Sequence, residues 1–243
     1  MAELRLGENI VVPAIVVKDV SIPNYIAPKN NVNGVYKADN TATSFNLNGA
    51  TDVGYYALAY AFHYCSNLTS VDLSSLTTLS GYYAMTNCFS SCTGLTSIDL
   101  SSLTTISGNS AMSGCFSSCT GLTSVDFPSL TTVSGLSAMS TCFWNCTNLT
   151  SVDLSSLETI GGGSAMSYCF QTCSNLTELR FPALQSFGTS TSTVSQFNNM
   201  LYGITGCTLH FPSNMQSEVE RRTGYPNFGG RNTVVLFDLP PTA

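Results

Sequence analysis

The side chains that could do chemistry recur at fixed intervals. Cysteines stand in Cys-x-x-x-Cys pairs: Cys88 with Cys92, Cys115 with Cys119, Cys142 with Cys146 and Cys169 with Cys173, with Cys65 before them and Cys207 after. Such spacing puts two sulfurs on one side of a helical segment. A zinc site, disulfides between layers and a ladder of small buried hydrophobes are the three readings. Zinc takes four ligands, and closely spaced pairs usually read Cys-x-x-Cys. A free Cys is among the most buried side chains, so the buried ladder is expected. A second array is acidic: Asp72, Asp99, Asp126 and Asp153, each ending a Ser-Val-Asp or Ser-Ile-Asp. On neighbouring strands about 4.8 Å apart, two carboxylates repel by about 1 kcal/mol in water and ~3.5 kcal/mol at an effective dielectric of 20. Flanking hydroxyls, a bound calcium ion or a ligand carrying amines or many hydroxyls would compensate. The third array is aromatic: Tyr55, Tyr56, Tyr60, Tyr64, Tyr82, Tyr83, Trp144 and Tyr168, where other copies of the same phrase carry Ser, Asn or Gly. Exposed rings beside hydroxyls and carboxylates suit a glycan or a protein surface. The plainer alternative is packing between loops, with the phenol oxygens wet.

Catalysis has little to work with. His63 and His210 are isolated and do not share a repeat. A Cys–His nucleophile needs an orienting third group, and the nearby Cys65 is assigned to the ladder. No phosphate-binding glycine loop or metal-histidine motif is present. The expectation is a protein that is not an enzyme and needs no cofactor, with calcium as the candidate ion at the Asp row. Asn67, Asn148 and Asn175 match the glycosylation acceptor pattern, but as by-products of the repeat.

These arrays share one step. AMTNCFSSCTGLTSIDLSSLTTISGNS, from Ala84 to Ser110, is restated from Ala111 and Ala138 and more loosely from Ala57 and Ala165, every 27 residues without insertion. That period marks a solenoid, in which each unit stacks on the next. Within LTSVDLSSL, Val125 and Phe127 and their equivalents alternate with polar residues, so a short strand with one buried face is expected. In AMTNCFSSC the apolar residues fall at helix-like spacings, which predicts a short outer helix. Residues 1–40 read as a strand-rich cap or attachment segment, 41–205 as a half-repeat and five repeats, and 206–243 as a strand–helix–strand cap. Ser213 and Gln216 fit a capping box, Gly224 and Pro226 a helix stop, and Thr233 to Leu239 a closing strand.

The order Phe116, Cys119, Leu122, Val125, Phe127, Leu130, Val133 resembles the BspA-like leucine-rich repeats of bacterial surface proteins, over roughly Thr41 to His210. The Ala-Met-Ser-x-Cys segment is an enlargement on that pattern. The ending from His210 to Pro240 resembles the closing segment of such proteins from gut bacteria and their phages. The resemblance implies an α+β fold: a right-handed leucine-rich-repeat solenoid with a parallel β-sheet, here with short outer helices and caps at both ends. It implies adhesion rather than catalysis, and no particular ligand.

Charged residues make up 9% of the 243-residue chain, against roughly 25% in an average domain. The surface must therefore be hydroxyl- and amide-rich. Net charge is −6, and no Lys or Arg occurs between Lys37 and Arg180. A nucleic-acid reader needs a basic stripe, so none is expected. The apolar run Ile10 to Val17 contains Pro13 and follows acidic residues, so it reads as a strand rather than a signal core or membrane span. The expected place is a cell surface or a virion, where a phage tail protein needs no secretory signal. The partner is a cell-surface glycan or protein, and a fibre-borne form would be a homotrimer. The alternative is a rigid spacer without its own ligand.

Overall fold

The computed structural model describes residues 43–46, 51–188, 196–221 and 228–241. The expected segment 1–40 and the stop signals Gly224 and Pro226 lie outside them. Each coil of the solenoid has three sides. The first is a strand side: β1 (Ser44–Asn46), β2 (Ser70–Asp72), β4 (Ser97–Asp99), β6 (Ser124–Asp126), β8 (Ser151–Asp153), β10 (Glu178–Arg180), β11 (Thr208–Pro212) and β12 (Val234–Leu239). The second is a row of two-residue strands: β3 (Thr78–Leu79), β5 (Thr105–Ile106), β7 (Thr132–Val133) and β9 (Thr159–Ile160). All pairings are parallel, and all but the last keep a constant register, as in Val71 opposite Ile98 and Ile106 opposite Val133; between β11 and β12 the register shifts between His210 and Pro212. The alternation that predicted strands sets this, since a slip of one residue would turn Val125 and Phe127 outward.

On the strand side the ladder is not continuous. It runs β1-β2-β4, then β6-β8, then β10-β11-β12. Ile98 and Val152, next to the two gaps, are only partly buried, whereas Val71, Val125 and Leu179 are buried.

The third side corrects the expected outer helix. Met85 N–H donates to the Ala111 carbonyl at 2.7 Å and Phe89 N–H to Cys115 at 2.8 Å, while Cys88 N–H donates to Met85 at 3.1 Å and Cys92 N–H to Phe89 at 3.1 Å. Alternate amides thus bond three residues back within the coil and across to the next coil. Tyr83, Asn87 and Ser91 carry φ of 54°, 50° and 62°, as the third residue of a type II turn requires. The side is a ribbon of overlapping turns. A helix would keep its bonds to itself, each amide donating four residues back. Ser, Thr and Asn are weak helix formers that favour turns, and here the freed amides join the layers. The four-residue spacing of Ala84, Cys88 and Cys92 is the period of two turns, which mimics a helix repeat.

Inside, Phe62, Phe89, Phe116, Phe143 and Phe170 stack with centroids 5.3, 5.4, 5.6 and 5.7 Å apart. Layers approach closely at one corner, where a Cβ on Gly135 would lie 2.2 Å from the Gly108 carbonyl oxygen, and one on Gly108 2.1 Å from that of Gly81. Past Gly188 the step lengthens. Phe143 N–H bonds to the Cys169 carbonyl, but Phe170 bonds to Met200, so Phe197, Met200, Leu201 and Ile204 form a further buried layer. β11 and β12 carry the ladder on, separated by a 3-10 turn, Ser213–Met215, and a short helix α1, Gln216–Glu220. The expected capping box does not form. Neither helix has a side-chain cap bond, because Pro212 leads into a 3-10 turn and Gln216 Nε2 bonds Glu220 Oε1 instead, at 2.8 Å.

Candidate functional site

The ten cysteines are free and buried. They fill two columns. One sulfur of each pair also donates a hydrogen bond to the preceding layer: Cys92 Sγ to the Phe62 carbonyl, Cys119 to Phe89 and Cys146 to Phe116, each at 3.1 Å, and Cys173 to Phe143 at 3.0 Å. Burial pushes every thiol for which a shift is seen upward, Cys92 and Cys207 to about 12. Such sulfurs are packing groups and hydrogen-bond donors rather than nucleophiles.

The Asp row lies on the strand side. Asp72 sits opposite Asp99, and Asp126 opposite Asp153. Asp99 and Asp126 are exposed, Asp72 and Asp153 half-buried. The carboxylates are engaged locally. Asp72, Asp99 and Asp153 each accept the N–H of the Ser two residues on, at 2.9, 2.9 and 2.8 Å. This Asx turn closes the strand, and it uses backbone amides where hydroxyls were expected. At Asp126 the equivalent residue is Pro128, which has no N–H to give. The neighbouring threonine hydroxyls are also partly committed: Thr96 Oγ1 donates to the Thr69 carbonyl at 3.2 Å and Thr150 to Thr123 at 3.0 Å. Two open depressions flank the row at the gaps in the ladder. One, about 510 Å³, has Ile98, Asp99 and Asp126 in its wall. The other, about 410 Å³, is lined by Asp126, Val152, Asp153, Glu178 and Arg180. No group of three or more His, Cys, Asp or Glu is gathered in a metal-binding arrangement among the described residues.

The aromatic array lies on the turn ribbon, across the core from the Asp row. Phe127, from the strand side, packs edge-on against Phe143 from the ribbon, with centroids 6.1 Å apart. The two arrays are therefore separate surfaces. Tyr56, Tyr60, Tyr64, Tyr83 and Tyr168 all occupy positive-φ turn corners. Of these, Tyr64 is 62% exposed, Tyr60 46% and Tyr83 39%, and beside them Tyr55 is 60% and Tyr82 52% exposed. These five, with Tyr56 and His63, crowd the first two layers. Tyr56 stacks on Tyr83 at 4.7 Å, Tyr55 meets Tyr56 edge-on at 4.6 Å, and His63 stacks on Tyr64 at 3.9 Å. Burial, then the neighbouring Tyr55, Tyr83 and Tyr60, hold the Tyr56 phenol above its ordinary range. Trp144, also exposed, stands apart in a later layer. Tyr168 is half-buried, and its hydroxyl accepts from Asn199 Nδ2 at 2.9 Å.

Sequence reading missed two features. Tyr202 is an exposed ring on the same ribbon, hidden because it follows the lengthened step. His210, read as isolated, holds its Nδ1 2.9 Å from Asp238 and its Nε2 3.8 Å from Glu178, which also pairs with Arg180 at 3.2 Å. The alignment of Arg180 with His210 across β10 and β11 brings these charges together, and an unbroken 27-residue count does not find it.

A repeat profile described as BspA type Leucine rich repeat region matches six copies, over residues 42–140 and 87–216. No curated protein matches. Among solved structures, a Leucine Rich Repeat protein of T. pallidum is 22% identical, with 82% of this chain and 90% of that one covered and a TM-score of 0.38. A leucine-rich repeat protein from Bacteroides ovatus is also 22% identical, with 67% of this chain but only 47% of that one covered and a TM-score of 0.31. Six profile copies, the parallel three-sided coil and its buried Leu, Val and Phe columns lead to one statement: the chain belongs to the BspA-type leucine-rich-repeat family, whose members are often adhesion or surface repeat proteins.

Proposed function

We propose that this chain is a non-enzymatic binding module of a cell or virion surface, and that it holds a glycan or protein against the tyrosine-rich turn ribbon of its first two layers. The clustering of exposed rings carries this reading. Aromatic residues occupy outward corners where Ser, Asn, Gly or Thr serve equally well in other layers. Tyr offers large contact area at small entropic cost, and its face stacks on a sugar ring or a side chain. The absence of Lys and Arg from 38 to 179 favours a neutral or cationic ligand over a sulfated or phosphorylated one. The Asp row is the secondary candidate, because much of its hydrogen-bonding capacity goes to closing strands.

A glycan array and whole-cell binding screen, with and without calcium, tests the proposal. Replacing Tyr55, Tyr82 and Tyr83 together by Ser is expected to weaken binding at least tenfold. Asp99→Asn with Asp126→Asn is expected to leave it unchanged. Loss confined to the Asp variant moves the site to the strand side and makes calcium dependence the next question. No binding to any glycan or cell leaves the rigid-spacer reading in its place.

A further inference from the structure

Among the described residues, the last strand of the solenoid has one unpaired edge. β12 pairs with β11 on one side, and among the described residues no strand pairs with its other side. Val234 N–H donates to the Cys207 carbonyl at 3.1 Å. In a parallel ladder alternate residues bond to the same neighbour. Up to Leu236 the register with β11 is regular, so Val234 and Leu236 turn their amides and carbonyls to β11, while Val235 and the Phe237 N–H turn outward; the register with β11 shifts after Leu236. The side chains are unfinished too. Val234 is 47% and Leu236 37% exposed, and Val235 and Phe237, which close the core, are only partly buried. Among the described residues this leaves a row of unpaired backbone groups flanked by apolar side chains, a template for one more strand.

We propose that two copies of this chain join tail to tail through β12, antiparallel, about a two-fold axis at Leu236. The edge is self-complementary in that register. Val235 comes opposite the partner's Phe237, whose outward N–H meets the Val235 carbonyl, and their inward side chains cover each other's end of the core. Leu236 meets the partner's Leu236 in the non-hydrogen-bonded pair. Asp238 falls opposite the partner's Val234, so like charges are not brought face to face. A foreign strand would have to supply that apolar and charge pattern, whereas a second copy carries it already. Such an isologous contact closes on itself as a dimer and points the two tyrosine ribbons to opposite ends, a bivalent arrangement.

Sedimentation velocity of the full chain over a range of concentrations tests the contact. The expected result is a dimer that dissociates on dilution. Leu236→Glu is expected to be monomeric and to melt where the parent does at dilutions that dissociate the dimer, since Leu236 is exposed in the single chain and association alone adds stability. Leu236→Cys is expected to give a disulfide-linked dimer on mild oxidation. The paired Cα atoms would lie about 4.5 Å apart, within disulfide range, and the native thiols are buried. A chain that stays monomeric throughout overturns the proposal. So does a dimer that survives Leu236→Glu and fails to cross-link through Leu236→Cys, which would place the contact on another surface.

Discussion

Each repeated residue type has a separate duty. The thiols are held in the core by packing and by donation to the preceding layer, with burial raising their pKa. The folded chain should react with a disulfide reagent at pH 8 only as it unfolds, so labelling rates in increasing urea should track the unfolding transition. Rapid labelling of the paired cysteines without denaturant would contradict that. Asp99 and Asp126 look alike in sequence but differ in their local bond. Asp99→Ala should be less stable than Asp99→Asn by about 0.5–1.5 kcal/mol, the net value of one hydrogen bond. At Asp126, which faces Pro128 where Asp99 faces an amide, Ala and Asn should agree within about 0.5 kcal/mol. Urea midpoints of the four variants decide it.

The turn ribbon and the closing sheet owe their stability to different forces. The ribbon exchanges internal helix bonds for bonds between coils, so it tolerates any outward residue but demands close approach at its glycine corner. Gly135→Ala pushes a methyl group into the Gly108 backbone, which should cost about 1–3 kcal/mol, in the range for overpacking, measured by chemical denaturation. An unchanged midpoint would mean that the layers part easily there. The closing sheet is tied by charge. The bond from His210 holds Asp238 below the usual carboxylate range, and Arg180 does the same for Glu178. A carboxyl lowered in the folded state adds stability above its unfolded pKa of about 4, and loses it as pH falls through the folded value. Asp238→Asn should therefore be less stable than the parent near pH 6, and the gap should close as pH falls through the lowered carboxyl pKa of the folded chain. Both groups are exposed, so solvent screening keeps the gap small. A gap that persists in acid would point to lost packing instead.

The whole molecule behaves as a stack whose layers meet only their neighbours. Because the 27-residue step holds without insertion from Ala57 to Ala165, excising residues 111–137 should leave every pairing in register. The shortened chain is expected to fold with the same circular dichroism per residue. Its denaturant m-value should fall in proportion to the buried surface lost, and ligand binding should remain, since Tyr55, Tyr82 and Tyr83 are untouched. Excising one residue fewer should still fold but with lower stability, because a turn must absorb the extra residue, as the 30-residue step from Glu178 to Thr208 already does. A shortened chain that folds but no longer binds would place the ligand across the removed layer. No helix among the described residues is long and apolar enough to cross a membrane.

The repeat was legible before any coordinates because stacking demands it. Identical layers bury identical positions, so Val125 and Phe127, the cysteine columns and the Phe89–Phe116–Phe143 stack announce themselves by period alone. Period could not tell a helix from a ribbon of turns at Ala84 to Cys92. Both place every fourth residue inward, and only the direction of the backbone bonds separates them. Nor could it place the Asp row and the tyrosines on opposite sides of one core, or bring His210 to Asp238 past a lengthened step. Those are relations between distant parts of the chain, and they exist only once the coils are closed and packed.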